Sequence, residues 1–169
     1  MDLPVERIVS GGQSGVDRAA LDFALAHGIP HGGWCPEGRL AEDGPIAFSY
    51  ELKETPEADY PQRTEWNVRD SDGTVIFTLA VELTGGSKLT AELAARLGKP
   101  WLHLSEASHG PRAAACLREF VRRHGVRVLN VAGPRASNEP GAPRFVIETL
   151  ERLFRIPKSR ARNWDRYVQ

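Results

Sequence analysis

Three glycine-rich turns carry the residues of this chain that could do chemistry. They are Gly11-Gly12-Gln13-Ser14-Gly15, Thr84-Gly85-Gly86-Ser87-Lys88 and Asn130-Val131-Ala132-Gly133-Pro134-Arg135. Glycine allows positive φ and close backbone approach to a ligand, which a Cβ would obstruct. The first two turns each run into a helical pattern. A helix that starts there turns its first N–H groups outward at the positive end of its dipole, a site suited to phosphate or another anion. Arg18, Lys88 and Arg135 stand close by and add positive charge. The chemistry expected is recognition of an anionic small molecule.

A magnitude bounds that site. A helix N-terminus favours an anion by about 0.3–1 kcal/mol, or about 2 when partly buried, whereas micromolar binding needs about 8 kcal/mol. Stacking, burial and hydrogen bonds to the rest of the ligand must supply the difference. Trp34 is positioned either to stack on a flat heterocycle or to plug a gap in the core. Asp17 reads as the acid of a capping box with Ser14, or as a partner for a ligand hydroxyl or amine. Arg63, in Tyr60-Pro61-Gln62-Arg63-Thr64, either clamps an anion or pairs with a surface acid. Cys35 has no second Cys or His at ligand spacing, and His103 and His109 form no evident metal pair, so no metal site is expected. No Ser-His-Asp arrangement can be argued from spacing, and no catalytic residue is assigned.

Alternating strand and helix patterns must position these turns. Arg7–Ser10 reads as the first strand. The helix after it carries Val16, Ala19, Ala20, Phe23 and His27 on one face and stops at Gly28. Thr74–Leu79 is the clearest strand, announced by Asp72-Gly73. A helix over Ser87–Leu97 follows, closed by Gly98-Lys99-Pro100. Trp101–Leu104 and Val126–Val131 read as strands, and Arg112–His124 and Ala142–Phe154 as helices. Residues 32–66, with Pro36, Pro45, Pro56 and Pro61, read as a long irregular binding loop or lid. The pattern predicts an α/β fold, a Rossmann-like three-layer sandwich around a mainly parallel sheet. In such a sheet the strand carboxyl ends share one edge, and ligands bind there.

The 169 residues suit one domain over 1–155 with a basic tail over 156–169. The tail reads as solvated or oligomer-contacting rather than as a nucleic-acid arm. Twenty-two basic residues balance twenty-two acidic ones, so no global field collects nucleic acid. No apolar run approaches the roughly 18 residues that span a bilayer. The Met1–Arg7 segment has no secretory pattern, and two cysteines give no disulfide framework. The expectation is a cytoplasmic protein that binds neither nucleic acid nor membrane.

The motifs taken together resemble the molybdenum cofactor carrier proteins. The likeness runs through Gly11–Asp22, Gly33-Trp34-Cys35-Pro36-Glu37-Gly38-Arg39, Ala41-Glu42-Asp43-Gly44, Glu54-Thr55, Tyr60, Arg63-Thr64, Asn67-Val68, Asp70–Thr74, Gly85-Gly86-Ser87 and Leu129–Arg135. It covers roughly residues 7–150. The resemblance implies non-catalytic binding, protection and transfer of molybdenum cofactor, a pyranopterin phosphate with oxo-molybdenum. It also implies a homo-oligomer, dimer or tetramer, exchanging cargo with molybdoenzymes or cofactor-biosynthesis proteins. Its anionic groups are expected against Gly11–Gly15 and Gly85–Ser87, with Arg18, Arg39, Lys88 and Arg135 as the charges. The wider fold includes nucleoside monophosphate phosphoribohydrolases, whose Pro-Gly-Gly-x-Gly-Thr-x-x-Glu motif corresponds to Thr84–Glu92. Glu92 keeps its place there, but Thr84, Lys88 and Leu89 replace Pro, Gly and Thr. Cleavage of a nucleotide N-glycosidic bond with Glu92 as acid/base, or sensing of nucleotides such as ADP-ribose, are the alternatives.

Overall fold

The computed structural model describes residues 3–157; the basic tail, apart from Ile156 and Pro157, lies outside the described residues. The elements run β1 (Arg7–Val9), α1 (Val16–Ala26), β2 (His31–Gly32), β3 (Trp34–Cys35), β4 (Lys53–Glu54), α2 (Tyr60–Arg69) and β5 (Gly73–Thr78). Then come α3 (Gly85–Arg96), β6 (Trp101–Ser105), α4 (Glu106–His109), α5 (Ala113–His124), β7 (Val128–Ala132) and α6 (Ala142–Leu153). Five strands form one parallel sheet in the order β2-β1-β7-β5-β6. β3 and β4 pair separately.

The order explains where the site must lie. The β1–α1–β2 connection steps outward to one edge of the sheet, and β5–α3–β6 steps outward to the other. Right-handed crossovers in opposite directions put α1 and α3 on opposite faces. Between their starting points sits β7, the last strand among the described residues. The crevice over its carboxyl end is the switch point where such folds bind ligands.

The core follows from the helical periodicities. Val16, Ala19, Ala20 and Phe23 of α1, Leu117, Phe120 and Val121 of α5, and Phe145, Val146, Leu150 and Leu153 of α6 are buried in one cluster with the sheet. Phe77 of β5 meets Phe145 of α6 edge-on, ring centroids 5.5 Å apart. All six residues of β5 are buried, as a central strand covered on both faces requires. α2 and α3 pack together on the other face. The described elements thus form a Rossmann-like three-layer α/β/α arrangement, as the alternating pattern predicts.

Two expectations are corrected. Residues 32–66 are not uniformly irregular: α2 begins at Tyr60. Its buried residues are Arg63, Asn67 and Val68, so no apolar stripe announces it. The preceding segment is packed rather than open. Leu21 of α1 packs with Cys35, Ile46 and Leu52 in a small second core. Arg39, buried, donates to the carbonyls of Ile46, Ala47, Tyr50 and Leu52 and holds that loop together.

The Ser14–Asp17 capping box does not form either. Gly15, at φ 86°, is the N-cap of α1, and no side chain caps it. A Cβ on Gly15 would lie 2.6 Å from the backbone of both Pro134 and Ala136. Glycine is required here because the β1 and β7 turns press together.

Candidate functional site

A cleft of about 830 Å³ opens at the carboxyl edge of the sheet, within the range of small-molecule sites. Gly11, Gln13 and Asp17 line it from the β1 turn and the first turn of α1. Gly133, Pro134 and Arg135 line it from the β7 turn, and Thr84 to Ser87 from the start of α3. The three glycine turns, separated by some seventy and fifty residues of sequence, converge because β1, β7 and β5 are neighbours. α2 adds Tyr60, Arg63, Thr64 and Asn67.

Of the residues singled out from the sequence, Gly11, Gln13, Arg63, Gly85, Gly86, Ser87, Gly133 and Arg135 face this cleft. Gly12, Ser14, Gly15, Arg18, Trp34, Arg39 and Lys88 do not line it. The reasons are visible in their partners. Arg18 donates to the Gly12 carbonyl at 3.0 and 3.2 Å and pairs with Asp43 at 3.0 Å. Trp34 packs edge-on against Trp66 and donates to Asp70 at 2.8 Å, beside a separate hollow. Lys88 is exposed and is not part of the lining. Ser14 Oγ donates to Glu42 and accepts from the Ala136 N–H at 3.2 Å. Cys35 is a core residue, its thiol pKa pushed up by burial.

The two helix starts differ in kind. The β1 turn is largely closed upon itself. Gln13 N–H donates to Asp17, Ser14 N–H to the Gln13 side chain, and Val16 N–H to the Pro134 carbonyl. This overturns the expectation that the Gly11–Gly15 turn presents its N–H groups outward. The start of α3 is open: Thr84 makes no side-chain cap, and a Cβ on Gly85 or Gly86 would meet nothing within 4 Å. Gly86 has neither positive φ nor a close neighbour, so packing gives no reason for glycine there. Its missing side chain leaves the backbone bare toward the cleft.

Two arginines, Arg63 and Arg135, and three acids, Asp17, Glu82 and Glu139, line the cleft, and Glu42 stands behind it. Arg63 donates to the Gly11 carbonyl at 2.8 Å and lies 3.6 Å from Asp17. Its guanidinium and that of Arg135 lie 5.2 and 5.3 Å from the Tyr60 ring centroid. Burial raises the Asp17 pKa, and the nearby Arg63, the Gln13 N–H, Ser10 and Arg18 offset that only in part. Glu139 reaches across to accept from Leu79 N at 2.7 Å and Ala80 N at 3.3 Å, just past β5. Behind the lining, Glu42 has the opposite shift. Burial pushes it up, but bonds from Ser137 and Ser14 and the charge of Arg135 outweigh this and leave its pKa lowered.

Gln13 is the unusual member. Only 4 % exposed, it accepts through Oε1 from Ser14 N at 3.0 Å and Glu42 N at 2.9 Å. Its Nε2 is a buried donor with no partner among the described residues. Asp17, Tyr60, Asn67, Asn130 and Glu139 are further cleft residues that spacing did not single out as a group. The Asp59-Tyr60-Pro61 helix start is the signal that could have exposed α2. Glu92, the acid/base of the hydrolase alternative, is exposed on α3 and does not line the cleft.

Fold and cleft together define a Rossmann-like protein with an open cleft at the switch point of its sheet. The chain belongs to the circularly permutated YpsA SLOG family, whose model matches residues 8–154. A solved structure from Syntrophus aciditrophicus, provisionally named a molybdenum carrier protein, is 45 % identical. The match covers 91 % of this chain and 97 % of that one, with a TM-score of 0.88. A second, (E)-4-hydroxy-3-methyl-but-2-enyl diphosphate reductase, is 11 % identical over 89 % of this chain and 59 % of its own. Its TM-score of 0.37 is too low to bear on fold or function. Among curated proteins none matches at a significant level.

Proposed function

We propose that the chain binds and carries molybdenum cofactor in the switch-point cleft without chemical turnover. The observation that carries this reading is the polarity of the cleft. An open helix start at Gly85–Ser87 and the Arg135 guanidinium suit the phosphate and oxo-metal groups. The β1 end offers buried amide and carboxylate groups instead. The 45 % identical relative is named as a molybdenum carrier, which supports a molybdenum-containing cargo. Within this reading the protein is a cytoplasmic homo-oligomer, dimer or tetramer, that exchanges its cargo with molybdoenzymes or biosynthetic proteins. Among the described residues no helix is long and apolar enough to cross a membrane.

The test is anaerobic titration of molybdenum cofactor into the purified protein, with AMP and ADP-ribose in parallel. Saturable cofactor binding, protection of the cofactor from oxidation and little nucleotide competition are expected. Nucleotide binding without cofactor binding overturns the reading. Release of free base from AMP, lost in Glu92→Gln, would move the function to hydrolysis.

A further inference from the structure

The unpartnered Gln13 amide indicates which end of a ligand lies where, an inference that deepens the reading of the same cleft. The orientation of this amide is fixed from both sides of its carbonyl. Oε1 accepts two backbone N–H groups, from Ser14 and Glu42. Turning the amide over would set its NH₂ against both donors, so Nε2 is the group left over. A buried donor without an acceptor loses its hydration with nothing in return and calls for an explanation. Gln13 lines the cleft, so a bound molecule can supply the acceptor.

Asp17 identifies the chemistry of that acceptor. Its carboxylate accepts from the Gln13 backbone N–H at 3.3 Å, and both residues line the cleft, so they share one corner of it. A phosphate there would satisfy Nε2 but would set its charge beside the Asp17 carboxylate, whose pairing with Arg63 leaves that corner without net positive charge. An edge carrying an acceptor beside an N–H donor satisfies both groups. Flat nitrogen heterocycles, pterin or purine, have such edges. The anionic end then lies toward Arg135 and the start of α3, where Ser87 is on the lining.

We propose that Gln13 is the specificity-determining donor of the cleft: its Nε2 hydrogen-bonds a ring acceptor of a pterin or purine base held beside Asp17. The phosphate of the same ligand lies at the start of α3.

The sequence contains three glutamines, Gln13, Gln62 and Gln169, so glutamine-labelled protein gives a side-chain amide spectrum of three pairs. The first measurement follows those pairs on addition of neutral pterin, of adenine, and of inorganic phosphate. The Gln13 pair is expected to shift with a base and to stay in place with phosphate. The second compares Gln13→Glu, which keeps an oxygen for Ser14 and Glu42 but loses the donor. Base affinity is expected to fall about tenfold, while phosphate affinity changes several-fold less. An unmoved Gln13 pair at base saturation, no base binding by the parent protein, or equal base affinity in Gln13→Glu overturns the proposal. Should the variant not fold, the labelled parent still decides. A Gln13 shift with adenine but none with pterin supports the donor role of Gln13 while overturning the cofactor reading, so the two fail separately.

Discussion

The Asp17 carboxylate lies 3.6 Å from the Arg63 guanidinium, and this pair joins α1 to α2 across the cleft. Both side chains are about nine-tenths buried, and Arg63 is the largest offset to the burial of the Asp17 carboxylate. The same arginine reaches the Gly11 carbonyl at 2.8 Å. A Cβ at Gly11 would collide with that guanidinium, so glycine in the β1 turn is what seats the arginine. A surface acid for Arg63 and a capping role for Asp17, both open from spacing, give way to a single buried pair.

Replacing Arg63 with methionine should therefore cost about 3 kcal/mol at neutral pH, because it strands a buried carboxylate. The pH dependence has a definite sign. Burial already raises the Asp17 pKa in the folded protein, and removing Arg63 raises it further. The folded state then holds a proton that the unfolded state has lost, so stability falls as pH climbs from the ordinary carboxylate range to the raised folded value. The loss against the parent should shrink on acidification as Asp17 protonates. Urea unfolding between pH 4 and pH 7 checks this; a loss independent of pH would show that Asp17 is not the stranded group.

Glu42 should behave in the opposite way. It ties the segment after β3 to both turns, accepting from Ser14 and from Ser137 Oγ and N. Its folded pKa is lowered. Stability from such a group is present above its unfolded pKa and is lost as pH falls through the folded one. Glu42→Ala should cost about 2 kcal/mol near neutrality, and the difference from the parent should fade below the ordinary carboxylate range. Thermal unfolding of both proteins across that range is the measurement.

Elements whose packing is apolar were legible, and elements whose packing is polar were not. α1, α6 and β5 follow from runs such as Val16, Ala19, Ala20 and Phe23, because burial selects apolar residues at a helical or strand period. α2 buries Arg63 and Asn67 instead, so the same rule passes over it. The site divides similarly. Glycines report turns wherever the fold puts them. The direction of a guanidinium depends on contacts far away in sequence, and nothing local separates Arg39, held by four loop carbonyls, from Arg135 on the cleft wall.

Gly86 and Gly133 offer a separation of ligand binding from packing. A Cβ on Gly133 would lie 2.7 Å from Val16 Cγ2 and closer still to the Phe77 carbonyl. Gly133→Ala should therefore lower stability by about 1–3 kcal/mol through overpacking. A Cβ on Gly86 meets nothing, and alanine in a helix is favoured over glycine by about 0.5–1 kcal/mol. Gly86→Ala should hold or raise the melting temperature while weakening an anionic ligand about tenfold, because the methyl projects where the ligand lies. A Gly86→Ala protein that binds as the parent does would remove the α3 start from the site.

Lys88 and Arg135 carry the last distinction. From spacing alone both belong beside the anion, since each directly follows or closes a glycine turn. The fold separates them. Lys88 is exposed and off the lining, so water and salt screen its charge from the cleft. Arg135 lines the cleft, stacked over Tyr60 at 5.3 Å and 4.0 Å from Glu42, a length that leaves donors for a ligand. Hydrogen bonds to a charged partner contribute about 1.5–3 kcal/mol. Arg135→Ala should then weaken an anionic ligand at least tenfold at physiological salt, while Lys88→Ala changes the affinity less than about twofold. Isothermal titration of both variants with the same phosphorylated ligand decides it. Equal losses would mean that the anion sits outside the cleft, over the exposed side of α3.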